Sequence, residues 1–524
     1  MDKKFIIAHD MGTSANKAVL FTIYGEIAGT AKEEYAVSHP RPGWAEQNPA
    51  DWWHAVCRTT RHVLKKAGVQ AGNVVGITFS SQTQSLISMD GKGKVLRPAI
   101  IWLDGRSADI IRKKVWIPPR IMGYNPLRVL RFIRITGGSP GHTGKDQIGK
   151  LLWLREYEPE VFHQAAVFLD AKDYLIYKLT GKKVTSTDLA YIWWLLDTRN
   201  KRNQWHRKLC AMAGVEPQRL AEVKPSSAIV GPLTREAARE MGLKADTPVI
   251  NGAGDLSASA LGSGAILEGE QMLCLGTSGW VGGHYSRRRV DIPHYTGCIG
   301  SALPDRFYLG MAHQETVGIC LEWLKNKVLY HEDQLKKEHH TQNIFQVFDE
   351  LADNVRPGSE GLMFTPWMYG ERCPIDDDHV RAGLFNIGLN HSREHIVRAV
   401  FEGIAFNLRW AMQTLDALYW KQGTLRIVGG GSNSNVWCQI VSDVLNRVIE
   451  RVCEPQQAGA RGVALLASMA LGYIDSLENI RRYIQIDRRF TPDSENRSLY
   501  DRLFAEFKNL YRQNRKWYAR MNSH

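Results

Sequence analysis

Hydrophobic positions open the chain as two short runs, Phe5–Ala8 and Lys17–Ile23, rich in the branched and aromatic residues that favour strands. The polar stretch between them is too short for a crossover helix, so the pattern predicts an antiparallel hairpin turning at Gly12-Thr13-Ser14. "QMLCLGTSGWVGGHY" (Gln271–Tyr285) repeats the design: the apolar run Met272–Leu275 meets Gly276-Thr277-Ser278-Gly279, and a second strand follows. The two G-T-S turns stand about half a chain apart, a period that points to two related domains rather than a solenoid. A third pattern has a strand ending at Val428, a turn at Gly429–Gly431 and a helix opening near Ser432–Asn435. Strand, glycine turn and helix N-terminus form an anion or nucleotide site. Helical stretches at Trp52–Lys66, Gly149–Tyr157 and Lys172–Leu179 alternate with strands such as Val74–Phe79, which argues for α/β layers. After Asp255 come the second hairpin and the helices Glu315–Leu329 and Arg393–Tyr419; a last helix, Leu499–Arg520, reads as a packing element. The Gly- and Pro-rich stretch Val355–Pro374 is expected to line a cleft wall. The main boundary falls near residues 253–258, giving domains at 1–254 and 255–490 and a C-terminal helix at 491–524.

Two carboxylates stand out against this frame. Asp10 sits where the first strand meets its turn. It reads either as part of a polar hairpin tip or as a metal-organising group beside a phosphate cradle made by the N–H groups of Gly12–Ser14. Asp255 follows the strand end Pro248–Asn251 and Gly252-Ala253-Gly254, just before the small-residue helix Ser257–Gly262. It reads as a helix cap or as a catalytic base; a cap has no need of the flanking G-A-G, which favours the base. Two tempting motifs fail. "GSPGHTGKD" (Gly138–Asp146) has Ser139 where a Walker A loop needs its first glycine and Asp146 where Ser or Thr should follow the lysine, so a mobile glycine-rich loop is expected. The turn at Gly429 lacks the G-x-G-x-x-G spacing of a dinucleotide fold.

Composition narrows the class. The 524 residues, 44% hydrophobic and 23% charged, suffice for several cores. Eight scattered cysteines without a C-x-x-C pair read as reduced thiols in the cytoplasm. Seventeen histidines include no H-E-x-x-H, which argues against a protein-ligated transition metal. The N-terminus has no signal-peptide pattern, and no apolar run is long enough for an integral membrane segment. The net charge of +13 is concentrated between Arg112 and Arg134, which hold seven basic residues and no acidic one. Leu127, Leu130 and Ile133 form a stripe beside Arg128, Arg131 and Arg134: a surface-seeking amphipathic helix, or a solvated helix packed on its own domain. No nucleic-acid motif accompanies the charge, so no nucleic-acid partner is expected.

Taken in order, "HDMGTSANK", "GWAEQNPADWW", "ITFSSQTQS", "IWLDGR", "KLLWLREYEPEVF", "KDYLIYKLTG", "GAGDLSASALG", "LGTSG", "GERCP", "RAVFEGIAFNLRW" and "VGGGSNSNVW" resemble the FGGY family of carbohydrate kinases over nearly the whole chain, and its xylulose kinase branch above all. The resemblance implies an α/β fold of two actin-like (ribonuclease-H-like) domains with an interdomain ATP and sugar cleft. It implies Asp255 as the base that takes a proton from a sugar hydroxyl, and Asp10 as the organiser of Mg²⁺ and the transferring phosphoryl group. Gly12, Thr13 and Ser14 would line a first phosphate loop and Gly276 and Thr277 a second. Gly318, Gly431 and Asn435 would hold the nucleotide. Gln82, Thr83, Gln84, Asp104 and Arg106 would form the sugar wall. The chain departs from the branch at Thr83-Gln84-Ser85, where a Met-His or Met-Gln pair followed by Gly is usual. It departs again at Leu256, where Asn is usual, and at Leu103, where a polar residue is usual. The implied reaction is ATP-dependent phosphorylation of a pentulose such as D-xylulose, giving xylulose 5-phosphate. The alternatives are a kinase for another ketose or polyol and a non-catalytic sugar or nucleotide sensor. A homodimer is the default by frequency.

Overall fold

The computed structural model describes residues 3–121, 123–329, 343–420 and 423–522. The chain divides into two units: Met1–Ile266 with Cys298–Leu309 and Gln457–Ile484, and Leu267–Gly297 with Gly310–Gln456 and Gln485–His524. A linear division at residue 255 does not capture this, because the segment Gln457–Ile484 returns to the first unit.

The first unit is built on a sheet in the order Ile229–Pro232, Pro248–Ile250, Val74–Ser81, Phe5–Met11, Ala15–Thr22, Ile27–Glu34, with Ala253–Gly254 also against Val74–Ser81. Phe5–Met11 pairs antiparallel with Ala15–Thr22, the expected hairpin, and parallel with Val74–Ser81. Ile6, Ile7 and Ala8 have no exposed surface, since helices cover the sheet and alternation gives way to a continuous apolar run. One cover is the helix Pro49–Ala67. Asn48 caps it, Pro49 starts it, and Gly68 ends it at φ 64°. Trp52, Val56 and Val63 on this helix join the sheet core. A second contact binds the helices Asp255–Gly262 and Ala458–Ala470. A Cβ on Gly262 would lie 1.8 Å from the Ala458 carbonyl, and one on Gly462 2.0 Å from the Ala258 carbonyl. The helices therefore touch backbone to backbone, which only glycine permits.

The second unit repeats the device. Its sheet runs Tyr308–Gln314, Gly279–Tyr285, Gln271–Leu275, Leu425–Val428, Ile449–Val452, Ile486–Phe490. Gln271–Leu275 pairs antiparallel with Gly279–Tyr285 and parallel with Leu425–Val428, matching the strand relations in the first unit. The C-terminal helix Arg497–Asn522 buries Tyr500, Phe504, Phe507 and Tyr518 in this unit's core, as a packing element should.

Two expectations change. On the helix Pro126–Thr136 the buried positions are Val129, Phe132, Ile135 and Thr136, whereas Leu127 is 80% and Leu130 62% exposed. Both stripes have helical spacing; the one carrying Phe132 turns inward because that ring packs on Trp116 at 5.7 Å. The glycine-rich loop Gly138–Asp146 is pinned rather than loose. The carboxylate of Asp146 accepts from the Gly141 N–H, the Gln84 amide and the Trp194 indole, each at 2.8 Å.

Candidate active site

Strand register places the first carboxylate. Asp10 stands opposite Lys17 on one neighbour and Ser80 on the other. Its Oδ1 accepts the Ser80 hydroxyl at 3.0 Å, and its Oδ2 lies 4.0 Å from the Lys17 ammonium. Gly459, in the first turn of the helix Ala458–Ala470, comes so close that a Cβ there would sit 3.3 Å from Asp10 Oδ1. The positive end of that helix thus faces an anion. Asp255 opens its own helix, but the cap position belongs to Gly254, so the capping reading is set aside. Its Oδ1 accepts the N–H of Leu256 at 3.0 Å. Burial, then the charge of Asp10 and also that of Asp188, pushes the Asp255 carboxyl up to about 7. Asp188 is the member of this cluster that sequence reasoning missed. It lies in the short helix Thr187–Tyr191, accepts the Gly254 N–H at 2.8 Å and the Ser226 hydroxyl at 3.1 Å, and so holds the residue before Asp255. Its one signal was a carboxylate in the apolar stretch "TDLAYIWW", which reads as an ordinary helix start.

The expected wall residues divide into two groups. Thr83 lies against Gly254, the residue before Asp255: a Cβ on Gly254 would meet its Cγ2 at 2.7 Å. Gln84 stands beside it with φ of +60°. Gln82 turns inward, its N–H on Met11 and its side-chain amide on Gln47, which in turn holds the Thr13 carbonyl. Asp104 and Arg106 are fully enclosed. Arg106 Nη2 donates to Asp104 and to Glu46, each at 2.7 Å, and the guanidinium stacks 3.6 Å over Trp44. With no exposed side-chain surface the pair offers no hydroxyl partner; it fixes the turn carrying Trp102, whose indole donates to Thr13 Oγ1 at 2.8 Å. Leu103 is 38% exposed, and Leu256 is half-buried next to the base. In the first turn the Gly12 N–H is not free, because it closes onto the Ala15 carbonyl at 3.0 Å. Tyr35 holds the same turn through the Gly12 carbonyl at 2.6 Å.

In the second unit the glycines gather at the ends of parallel strands. The Gly318 N–H donates to the Gly276 carbonyl at 2.9 Å, and a Cβ on Gly318 would lie 2.7 Å from that oxygen. Gly431 packs against Leu275, the residue before Gly276. Gly429 bends the strand end at φ +95°, a conformation that favours glycine. Asn435 opens the helix Asn435–Leu445, is exposed, and accepts from Arg451 Nη1 at 3.0 Å. Backbone N–H groups at strand ends and a helix start are the parts of an anion site.

The model of the FGGY family of carbohydrate kinases, N-terminal domain, matches residues 5–262, and that of the C-terminal domain matches residues 272–471. The chain belongs to the FGGY family of carbohydrate kinases. A xylulose kinase of Bacillus subtilis (strain 168) is 30% identical over 514 residues, 97% of each chain. A gluconokinase of Bacillus licheniformis is 29% identical over 509 residues, 97% of this chain and 96% of its own. Among solved structures, a ligand-bound xylulose kinase from Lactobacillus acidophilus superposes with a TM-score of 0.87 at 27% identity, covering 99% of this chain and all of its own. A gluconate kinase from the same organism gives 0.86 at 27% identity with the same coverage.

The site of this FGGY kinase can be tested against the magnesium such chemistry requires. Among the described residues no three His, Cys, Asp or Glu side chains gather to chelate an ion. Magnesium commonly keeps several waters and takes one or two carboxylates plus substrate phosphates. Asp10, with one oxygen bound to Ser80 and its side chain 21% exposed, fits that partial role. Among the described residues no helix is long and apolar enough to cross a membrane.

Proposed function

We propose that this kinase transfers the terminal phosphoryl group of ATP to a hydroxyl of a neutral sugar, a pentulose such as D-xylulose that would yield xylulose 5-phosphate. The observation that carries the reading is Asp255, half-buried at a helix start and raised to about 7 by burial and by Asp10 and Asp188. A carboxylate balanced near neutrality can accept a proton as the sugar oxygen attacks phosphorus. In that step the new O–P bond forms, the bond from phosphorus to the β,γ-bridging oxygen breaks, ADP leaves, and the proton remains on Asp255. Thr13 and Ser14 in the first unit, and Gly276, Thr277, Gly318, Gly431 and Asn435 in the second, are assigned to the phosphates and nucleotide. Asp10 would hold Mg²⁺, which supplies positive charge to the phosphates when bound. Thr83 and Gln84 are assigned to the sugar.

A neutral acceptor is favoured over an aldonate because two carboxylates, Asp10 and Asp188, already stand beside the base, and a further negative charge would be repelled. Leu256 and Leu103 offer no hydrogen bond to a hydroxyl, which leaves another ketose or a polyol as the second reading. Eight scattered cysteines without a C-x-x-C pair fit a reducing compartment, and we place the enzyme in the cytoplasm.

ADP release measured against D-xylulose, D-ribulose, D-gluconate and glycerol tests the proposal, with D-xylulose expected to give the highest kcat/KM. Asp255→Asn should lower kcat by about 10²–10⁴-fold and leave binding of an ATP analogue unchanged. Preference for gluconate would overturn the neutral assignment. ATP binding with no sugar-stimulated turnover would replace the kinase reading with that of a sensor.

A further inference from the structure

The turn Gln82–Ser85, assigned above to the sugar, does not hold its shape by local preference. Gln84 has φ +60°, a left-handed conformation that a non-glycine residue keeps only where its surroundings hold it. Side chains distant in sequence hold it there. The Gln84 amide donates to Asp146 at 2.8 Å. The Ser85 N–H donates to Asp170 Oδ1 at 3.0 Å, while Asp170 Oδ2 accepts the Gln147 amide at 2.9 Å. The remaining tie is Lys150, which has no exposed surface. Its ammonium donates to the Gln84 carbonyl at 2.5 Å and to the Ile101 carbonyl at 2.9 Å.

Those two carbonyls belong to different segments. One lies next to Thr83, which meets Gly254 beside the base; the other immediately precedes Trp102, which holds Thr13. We propose that Lys150 is a positioning residue for sugar recognition: its buried ammonium bolts the Gln84 turn to the segment ending at Ile101 and so sets Thr83 beside Asp255. The inference rests on the reading that the Gln84 turn faces the sugar. Asp104, Asp146 and Asp170 surround the ammonium and favour its charge, opposing the burial that lowers it to about 8; Arg106 acts with the burial. It is therefore mostly protonated at neutral pH.

Lys150→Met keeps the length and apolar body of the side chain and removes both donors. The expected result is a sugar KM raised at least tenfold, measured with the best acceptor of the panel above, with kcat within threefold and the ATP KM within twofold of wild type. Hydrogen exchange should accelerate at least tenfold in peptides covering residues 82–86 and 101–106, and not in residues 271–285. A folded variant with unchanged sugar KM and unchanged exchange in both peptides would overturn the proposal, as would equal increases in the sugar and ATP KM. If Lys150→Met does not fold, Lys150→Gln, whose shorter side chain replaces the ammonium with a neutral amide, takes its place with the same criteria. Should the wild-type enzyme phosphorylate no sugar of the panel, the proposed function fails, and the exchange measurement alone decides whether Lys150 joins the two segments.

Discussion

The raised carboxyl of Asp255 comes first from burial, then from the charge of Asp10, with Asp188 a smaller contributor. As the proposed base Asp255 would act only when ionised, and burial together with the charges of Asp10 and Asp188 holds its carboxyl at about 7. Activity should therefore be full above neutrality and fall about tenfold per unit as pH drops below about 7. Asp188→Asn keeps an oxygen for the Gly254 N–H and removes one negative charge. The acidic limb of the kcat/KM profile should then move to lower pH, by about half a unit to one unit. A limb that stays in place or moves upward would show that Asp188 does not act on the base through its charge. Asp255 itself was legible in the sequence, since a glycine-flanked carboxylate between strand and helix is a local pattern. Asp188 was not, because its closeness to Gly254 is created by folding.

Among elements, the crossing of Asp255–Gly262 with Ala458–Ala470 carries the most function. One helix begins with Asp255, the proposed base, and the other presents its N-terminal turn, with Gly459, to Asp10. Their backbones meet through Gly262 and Gly462. Gly462→Ala would place a methyl 2.0 Å from the Ala258 carbonyl, and a backbone atom cannot yield as a flexible side chain can. We expect a loss of about 1–3 kcal/mol, seen as a Tm lower by roughly 2–5 °C, with kcat reduced in the protein that remains folded. A Tm within 1 °C of wild type by calorimetry would contradict the close packing described. The glycines were visible in "SALGSG" and "AGARGV", but nothing in either stretch named the other as its partner.

At the scale of the whole molecule, the first unit is completed by chain that arrives late. It is interrupted after Ile266 and regains Gln457–Ile484, whose helix packs on the helix of the base. A chain ending at Gln456 lacks that cover, so the strand Phe5–Met11 and Gly262 lose a packing partner. Its melting should lose the sharp cooperative transition of the full chain in calorimetry. A single sharp transition retained in the shortened chain would refute the dependence.

Local order was readable along the chain because it depends on neighbours in sequence. The doubled hairpins, their G-T-S turns, the main helices and the family all follow from short-range pattern and motif. Which face of an element points inward was decided elsewhere. Phe132 turned its helix toward Trp116 against the equally periodic leucine stripe, Arg106 and Asp104 closed on each other inside the fold, and Lys150 reached two carbonyls far apart in sequence. Those outcomes depend on packing and on finding partners for buried charge, and both are properties of the assembled unit rather than of any stretch within it.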